Sequence, residues 1–176
     1  MSEHHQFPQG LRATTAYLGL GSNLGDRRQN LIHSLKIMEQ QLRLVRYSSV
    51  YDTAPQDNQN QPRFLNIVAQ IITTLSPEHL LKLAKEIEAG LGRKSAPPNS
   101  PRPIDIDILF YDNIVRESQD PIIPHPRIAK RSFVLIPLAE IAPHFKHPIT
   151  NKTAAEMLEE LRLEEQEIIN KGEINV

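Results

Sequence analysis

Cysteine is absent from this chain of 176 residues. Its absence excludes a disulfide framework, a thiolate metal site and a thiol nucleophile. No apolar run approaches the roughly 18 residues that a membrane-spanning helix needs, and the start carries no signal-peptide pattern. A cytoplasmic protein with no membrane contact is therefore expected. Charge of one sign is lacking too: 20 Lys and Arg stand against 21 Asp and Glu, a formal net charge of −1. Bulk electrostatics therefore give no reason to expect nucleic acid as a partner. No repeat or low-complexity segment occurs, and no long apolar helix or heptad seam asks for a second subunit, so a monomer is expected.

What is present suits a single globular domain, with 39% apolar and 23% charged residues. Residues 151–176 hold seven acids and three bases, which leaves 17 bases against 14 acids in the remainder. A mildly basic body of this kind fits a small phosphate-bearing ligand better than a polyanion. Residues 1–13 show no periodicity and are expected to form a loose tail, in which the His4-His5 pair carries no metal argument. The domain proper is placed at 14–163, and a frayed tail is expected over 164–176.

Periodicity and punctuation give the order of elements. Thr14–Leu20 reads as a strand that ends in the glycine-rich stretch Gly19-Leu20-Gly21-Ser22-Asn23-Leu24-Gly25-Asp26. A helix follows from about Asp26, with Leu31, Leu35, Met38 and Leu42 on one face. The glycine-rich stretch lacks the Lys-Ser/Thr end of a phosphate loop and does not match the dinucleotide fingerprint. A tight turn against a neighbouring strand is the simpler reading. Leu44–Tyr51 is a second strand, Asp52–Pro62 a polar loop and Phe64–Thr73 a third strand. Ser76-Pro77 caps and opens a second helix with its stripe at Leu80, Ala84, Ile87 and Leu91. A proline-rich loop, Arg93–Pro103, leads into a strand from Ile104. The plan is the split βαβ of an α+β, ferredoxin-like sheet, followed by a C-terminal extension. That extension is expected to bring one or two hairpin strands over Ile114–Ile123 and a helical turn over Ile128–Arg131. Beyond these come a partly helical Ser132–Ile141 and a last helix capped by Thr153.

The most informative stretch is Arg102-Pro103-Ile104-Asp105-Ile106-Asp107-Ile108-Leu109. Side chains alternate along a strand, so Asp105 and Asp107 share one face about 7 Å apart. Asp is a poor strand residue. Two carboxylates among isoleucines, with arginines nearby, suggest a hard cation bridging to phosphate oxygens; the wet face of an amphipathic strand would give the same pattern. Arg93, Arg131 and His125 read singly as surface groups, and Phe64 and Phe133 as core. Phe64, however, shares its strand face with Asn66 and Gln70.

Taken together, ordered motifs carry more than any one of them. Gly-Ser-Asn-Leu-Gly-Asp stands at 21–26, Tyr-Asp-Thr-Ala-Pro at 51–55 and Phe-Leu-Asn at 64–66. Leu-Gly-Arg follows at 91–93, Pro-Arg-Pro-Ile-Asp-Ile-Asp-Ile-Leu at 101–109, Ile-Pro-His-Pro-Arg at 123–127 and Arg-Ser-Phe-Val-Leu at 131–135. Over roughly residues 15–162 the chain resembles the 6-hydroxymethyl-7,8-dihydropterin pyrophosphokinases of folate biosynthesis. The resemblance implies transfer of pyrophosphate from ATP to the hydroxymethyl group of the pterin, leaving AMP. It implies two Mg²⁺ ions held by Asp105 and Asp107, and catalytic roles for Arg93, Arg102, His125 and Arg131. It places Lys85, Glu88, Arg93, Arg102, Ile108, His125 and Arg131 around ATP, and Thr53, Ala54, Phe64, Asn66, Asp105 and Phe133 around the pterin. The chain departs from the family in the loop Lys94–Ser100, which has fewer bases, two adjacent prolines, and Asn99 near a position where some members carry tryptophan. A different Mg²⁺-dependent transferase, or a ferredoxin-like binding module without catalysis, are the rival readings.

Overall fold

The computed structural model describes residues 12–55, 60–97, 100–161 and 168–176. In chain order it contains β1 (Thr14–Ser22), α1 (Arg27–Glu39), β2 (Arg43–Tyr47), β3 (Tyr51–Thr53) and β4 (Phe64–Thr73). It continues with α2 (Pro77–Gly90), β5 (Asp105–Tyr111), a 3₁₀ turn (Ile128–Lys130), α3 (Ser132–Ile141), α4 (Ala154–Glu160) and β6 (Ile168–Asn170).

Apolar residues at alternate positions make the central strands two-sided. Ala16, Leu18 and Leu20 of β1, Leu65, Ile67, Ala69 and Ile71 of β4, and Ile106 and Ile108 of β5 all bury on one face. Leu31, Leu35 and Met38 of α1 and Leu80, Leu83 and Ile87 of α2 cover that face. Each such fully buried side chain is worth about 1.5–3 kcal/mol relative to exposure. On the other face, Tyr17, Val68 and Phe110 pack against Val134, Leu135 and Leu138 of α3 and Met157 of α4. Caps set the helix starts: Asp26, Ser76 and Thr153 each accept from the backbone N–H three residues on.

The sheet runs β5-β1-β4-β3-β6, with β2 also on the outer edge of β4. Every pairing is antiparallel. Taking β2 and β3 as one interrupted strand, this is the expected ferredoxin-like order, extended by β6. The interruption corrects the expected single strand Leu44–Tyr51. At Ser48 the backbone N–H donates to Val68 O (2.9 Å) and the hydroxyl accepts from Val68 N (3.0 Å). Ser49 then turns away from the ladder: its N–H and hydroxyl donate to Glu140 on α3, both at 2.9 Å. Tyr51 donates to the same carboxylate at 2.8 Å. Burial, followed by the Glu140 contact, pushes the Tyr51 phenol up to about 12, so it stays a donor.

Three other expectations change. Ile114–Ile123 forms no hairpin strands; one bridge, Arg116 to Ile123, is all that remains. Pro121 and Pro124 have no N–H to extend a ladder. The glycine-rich stretch is not all turn, since Gly19-Leu20-Gly21-Ser22 belongs to β1 and the turn begins at Asn23. The C-terminal tail is not frayed over its last residues: β6 pairs with β3, and Ile174 is buried in the main core. Positions 164–167 of that expected tail, and 1–11 of the N-terminal one, lie outside the described residues. No described helix is long and apolar enough to cross a membrane.

Candidate active site

Register brings the chemistry-bearing residues into rows across the three central strands. In one row Gly21 of β1 lies between Asn66 of β4 and Asp105 of β5. In the next, Gly19 lies between Val68 and Asp107. These residues share the face turned away from α1 and α2. Because the middle strand contributes glycines there, the rows form a trough with an amide on one bank and two carboxylates on the other. A Cβ on Gly21 would come within 2.9 Å of Asn66 Oδ1, and one on Gly19 within 3.4 Å of Leu109. Phe64, Phe133, Thr53 and Ala54 complete the walls of a single cavity of about 180 Å³, with His125, Arg102, Arg127 and Arg131 around it.

The aspartates differ in surroundings. Asp105 accepts from Arg93 Nη1 (2.6 Å) and from Arg102 Nε (2.9 Å). Burial works against its ionisation, but Arg102 and Arg93 outweigh burial and hold the carboxyl below its ordinary value. A depressed carboxyl means that the unfolded chain binds the proton more readily. The ion pairs thus stabilise the fold fully above the ordinary Asp value, and that stabilisation is lost as pH falls through the lowered one. Asp107 is more open, 38% exposed at its side chain, with Arg131 at 3.6 Å and His125 at 3.9 Å. Burial pushes the His125 imidazole down; Asp107 opposes this, and Arg131 and Arg127 add to it. The ring is therefore neutral near pH 7. Its Nδ1 accepts from Arg127 N (3.3 Å), and its Nε2 lies 3.9 Å from Asp107 and 3.5 Å from Arg131 Nη1.

Two guanidinium groups sit over the two rings. Arg102 lies 5.1 Å from the Phe64 centroid and Arg131 5.4 Å from that of Phe133. Asn66, 5% exposed, donates through Nδ2 to Thr53 Oγ1 at 2.7 Å. That bond ties the buried amide to the end of β3.

Not every residue expected at the nucleotide faces the cavity. Ile108 buries in the helix-covered core. Glu88, only 3% exposed, accepts from the backbone N–H of Ile106 (2.8 Å) and pairs with Arg93 (2.7 Å) and Lys85 (3.0 Å). It braces the strand that carries both aspartates and aims Arg93 at Asp105. Glu88→Ala would leave that N–H and Arg93 without their carboxylate. A loss of about 3 kcal/mol in stability is expected, read by denaturant unfolding; a loss within about 0.5 kcal/mol, the ordinary surface value, would contradict the bracing role. Pro98 and Asn99 of the atypical loop lie outside the described residues.

Other features went unread in the sequence. Gly19 and Gly21 could have been found from their two-residue spacing inside a strand. Asn23 had no such signal. Just 1% exposed, it donates through Nδ2 to Gln61 Oε1 (3.0 Å) and Pro62 O (3.2 Å), and its Oδ1 accepts from Arg102 N (2.8 Å).

An antiparallel ferredoxin-like sheet here carries paired carboxylates, a cluster of arginines and an aromatic-walled trough, a set suited to transfer of a phosphorus-containing group to a flat acceptor. Residues 17–143 match the family model of 7,8-dihydro-6-hydroxymethylpterin-pyrophosphokinase (HPPK). The chain belongs to this family, whose reaction is pyrophosphoryl transfer to a hydroxymethyldihydropterin in folate biosynthesis. It is 41% identical over 142 residues to the 2-amino-4-hydroxy-6-hydroxymethyldihydropteridine pyrophosphokinase of Aquifex aeolicus, covering 81% of this chain and 89% of that one. It is 43% identical over 141 residues to the folic acid synthesis protein FOL1 of Dictyostelium discoideum, covering 80% of this chain but spanning only 22% of that protein. The wild-type HPPK-DHPS crystal structure from Plasmodium falciparum, with STZ-DHP, superposes with a TM-score of 0.69 at 18% identity. That match covers 86% of this chain and 44% of that one, and shows the shared fold.

Proposed function

We propose that this chain, as a single domain, transfers the β,γ-pyrophosphoryl group of ATP to 6-hydroxymethyl-7,8-dihydropterin, releasing AMP. The observation that carries the reading is the trough itself. Its glycine floor and its two phenylalanine walls suit a flat heteroaromatic ring, and an amide at one end suits a ring edge offering both donors and acceptors. At the other end, two carboxylates and the arginines suit a metal-bound triphosphate.

The donor set fits Mg²⁺. Among the described residues no group of three or more His, Asp or Glu could hold a metal. Asp105 and Asp107 supply two carboxylates to the cavity, and Mg²⁺ takes one or two carboxylates and completes its shell with waters and phosphates. When bound, a pair of such ions would neutralise phosphate charge and orient the acceptor oxygen. Asp105 is engaged by Arg93 and Arg102, so nucleotide binding exchanges that carboxylate for phosphate as the arginines' partner. Arg131 and the Nε2 edge of His125, beside Asp107, would contact the same phosphates. Phosphoryl-type transfer needs little covalent work from protein groups and depends on this positioning and charge balance. Phe64 and Phe133 hold the acceptor ring and keep water from the transferring group. A cytoplasmic monomer acting on small molecules alone completes the reading.

AMP formation from ATP, Mg²⁺ and the hydroxymethylpterin tests it, with a chelator as control. Pterin-dependent AMP is expected; ADP or free pyrophosphate as product would assign a different reaction. The floor gives a second expectation. Gly21→Ala pushes a methyl against the Asn66 amide, so pterin affinity should fall about tenfold, the scale of one misplaced hydrogen bond, with ATP affinity unchanged. Isothermal titration with each ligand reads the difference, and equal losses for both would contradict the assignment of the two banks.

A further inference from the structure

We infer that the C-terminal segment Ile168–Val176 is a positioning element for the acceptor end of the trough. The inference rests on the proposed pterin pocket and extends it to residues far from the cavity. The stretch matched by the family model ends at residue 143, well before this segment.

The strand that presents Thr53 and leads to Ala54 is β3, only three residues long. One edge pairs with β4, which places Thr53 opposite Phe64 and Tyr51 opposite Asn66. The other edge would be an open row of N–H and C=O groups, which a strand this short does not hold in place alone. It is closed by β6, with Thr53 opposite Ile168 and Tyr51 opposite Asn170. Thr53 and Asn66 are 4% and 5% exposed, and Thr53 Oγ1 is hydrogen-bonded to the Asn66 amide at 2.7 Å. The chain of contacts therefore runs from β6 through Thr53 to the side chain read as the ring-edge partner.

The segment is itself held at several levels. Lys171 N donates to Val50 O (2.8 Å) and Val50 N to Gly172 O (2.9 Å). Gly172 sits at φ +78°, where glycine is at ease, and lets the chain turn inward. Arg28 of α1 donates to the carbonyls of Lys171 and Glu173, and Tyr47 Oη donates to Ile174 O (3.1 Å). Ile174, 4% exposed, anchors the end among the core residues. The metal and triphosphate bank lies on β5, two strands away from β3 across β1 and β4. A loosened β3 should therefore cost acceptor binding and spare the nucleotide.

The full chain is compared with a chain ending at Glu167 and with Ile174→Ala, each titrated with the pterin by its fluorescence and with ATP, and assayed for both KM values. The pterin Kd and KM should rise about tenfold, the loss of one well-placed buried hydrogen bond. The ATP constants should stay within about twofold, and Ile174→Val should restore most of the pterin affinity. Unchanged pterin constants, or equal rises for both ligands, overturn the inference. If the shortened chain does not fold, Ile174→Ala and Ile174→Val decide by the same ratio. No AMP from the full chain would defeat the proposed reaction, whereas the pterin titrations would still read the role of the segment.

Discussion

Asp107→Asn is expected to lower turnover by about a thousandfold while leaving the melting temperature unchanged. The carboxylate is the more open of the pair, with Arg131 at 3.6 Å and His125 at 3.9 Å. Removing its charge takes away the proposed cation ligand and a counter-charge without disturbing packing. Asp105→Asn should cost as much in turnover and should also destabilise the fold, because Arg93 and Arg102 converge on this carboxylate at 2.6 and 2.7 Å. Two guanidinium groups left facing a neutral amide are expected to cost about 2 kcal/mol. Steady-state kinetics and thermal melting of the two variants separate catalysis from architecture. If Asp107→Asn kept more than about a tenth of wild-type turnover, the metal-binding role would be untenable.

Arg102 is the second residue with a large expected effect, because it touches both ends of the trough. Its guanidinium stacks on Phe64 and forks onto Asp105, and its backbone N–H is held by Asn23. On the proposed reading, Arg102→Ala removes a cation from the triphosphate site and a cover from the acceptor-ring site together. A fall of about a thousandfold in kcat/KM is expected, within the range of arginines that stabilise phosphoryl-transfer charge. Arg102→Lys should recover only a small part, since an ammonium neither forks nor stacks as a planar guanidinium does. Recovery of nearly full activity by lysine would show that a point charge is enough and that the stacking plays no part.

The sequence was most legible where one periodicity dominated. The period-two pattern of Phe64–Thr73 and Ile104–Leu109 set both strands and put Asp105 and Asp107 on one face, as observed. The caps at Asp26, Ser76 and Thr153 marked three helix starts for a local reason, a side chain accepting from a backbone N–H close in sequence. What stayed hidden depended on partners distant in sequence. Glu88 sits on an amphipathic helix like any solvated acid, and its role appears once β5 brings Ile106 N–H and Arg93 to it. The break at Ser48 reflects bonds to Val68 and Glu140 that no local pattern encodes. Strand β6 follows a charged stretch and is three residues long, too short for alternation to register. The trough needed the register of three strands, although each residue lining its floor and banks was visible on its own.

Asn23 has a mechanical consequence. One buried side chain holds Gln61 and Pro62 on one lip of the mouth and Arg102 on the other. Pulling either loop away strands part of that amide unpaired in the interior, at about 1–3 kcal/mol. Below that energy the two lips of the mouth are yoked, and a ligand that draws one inward also sets the other.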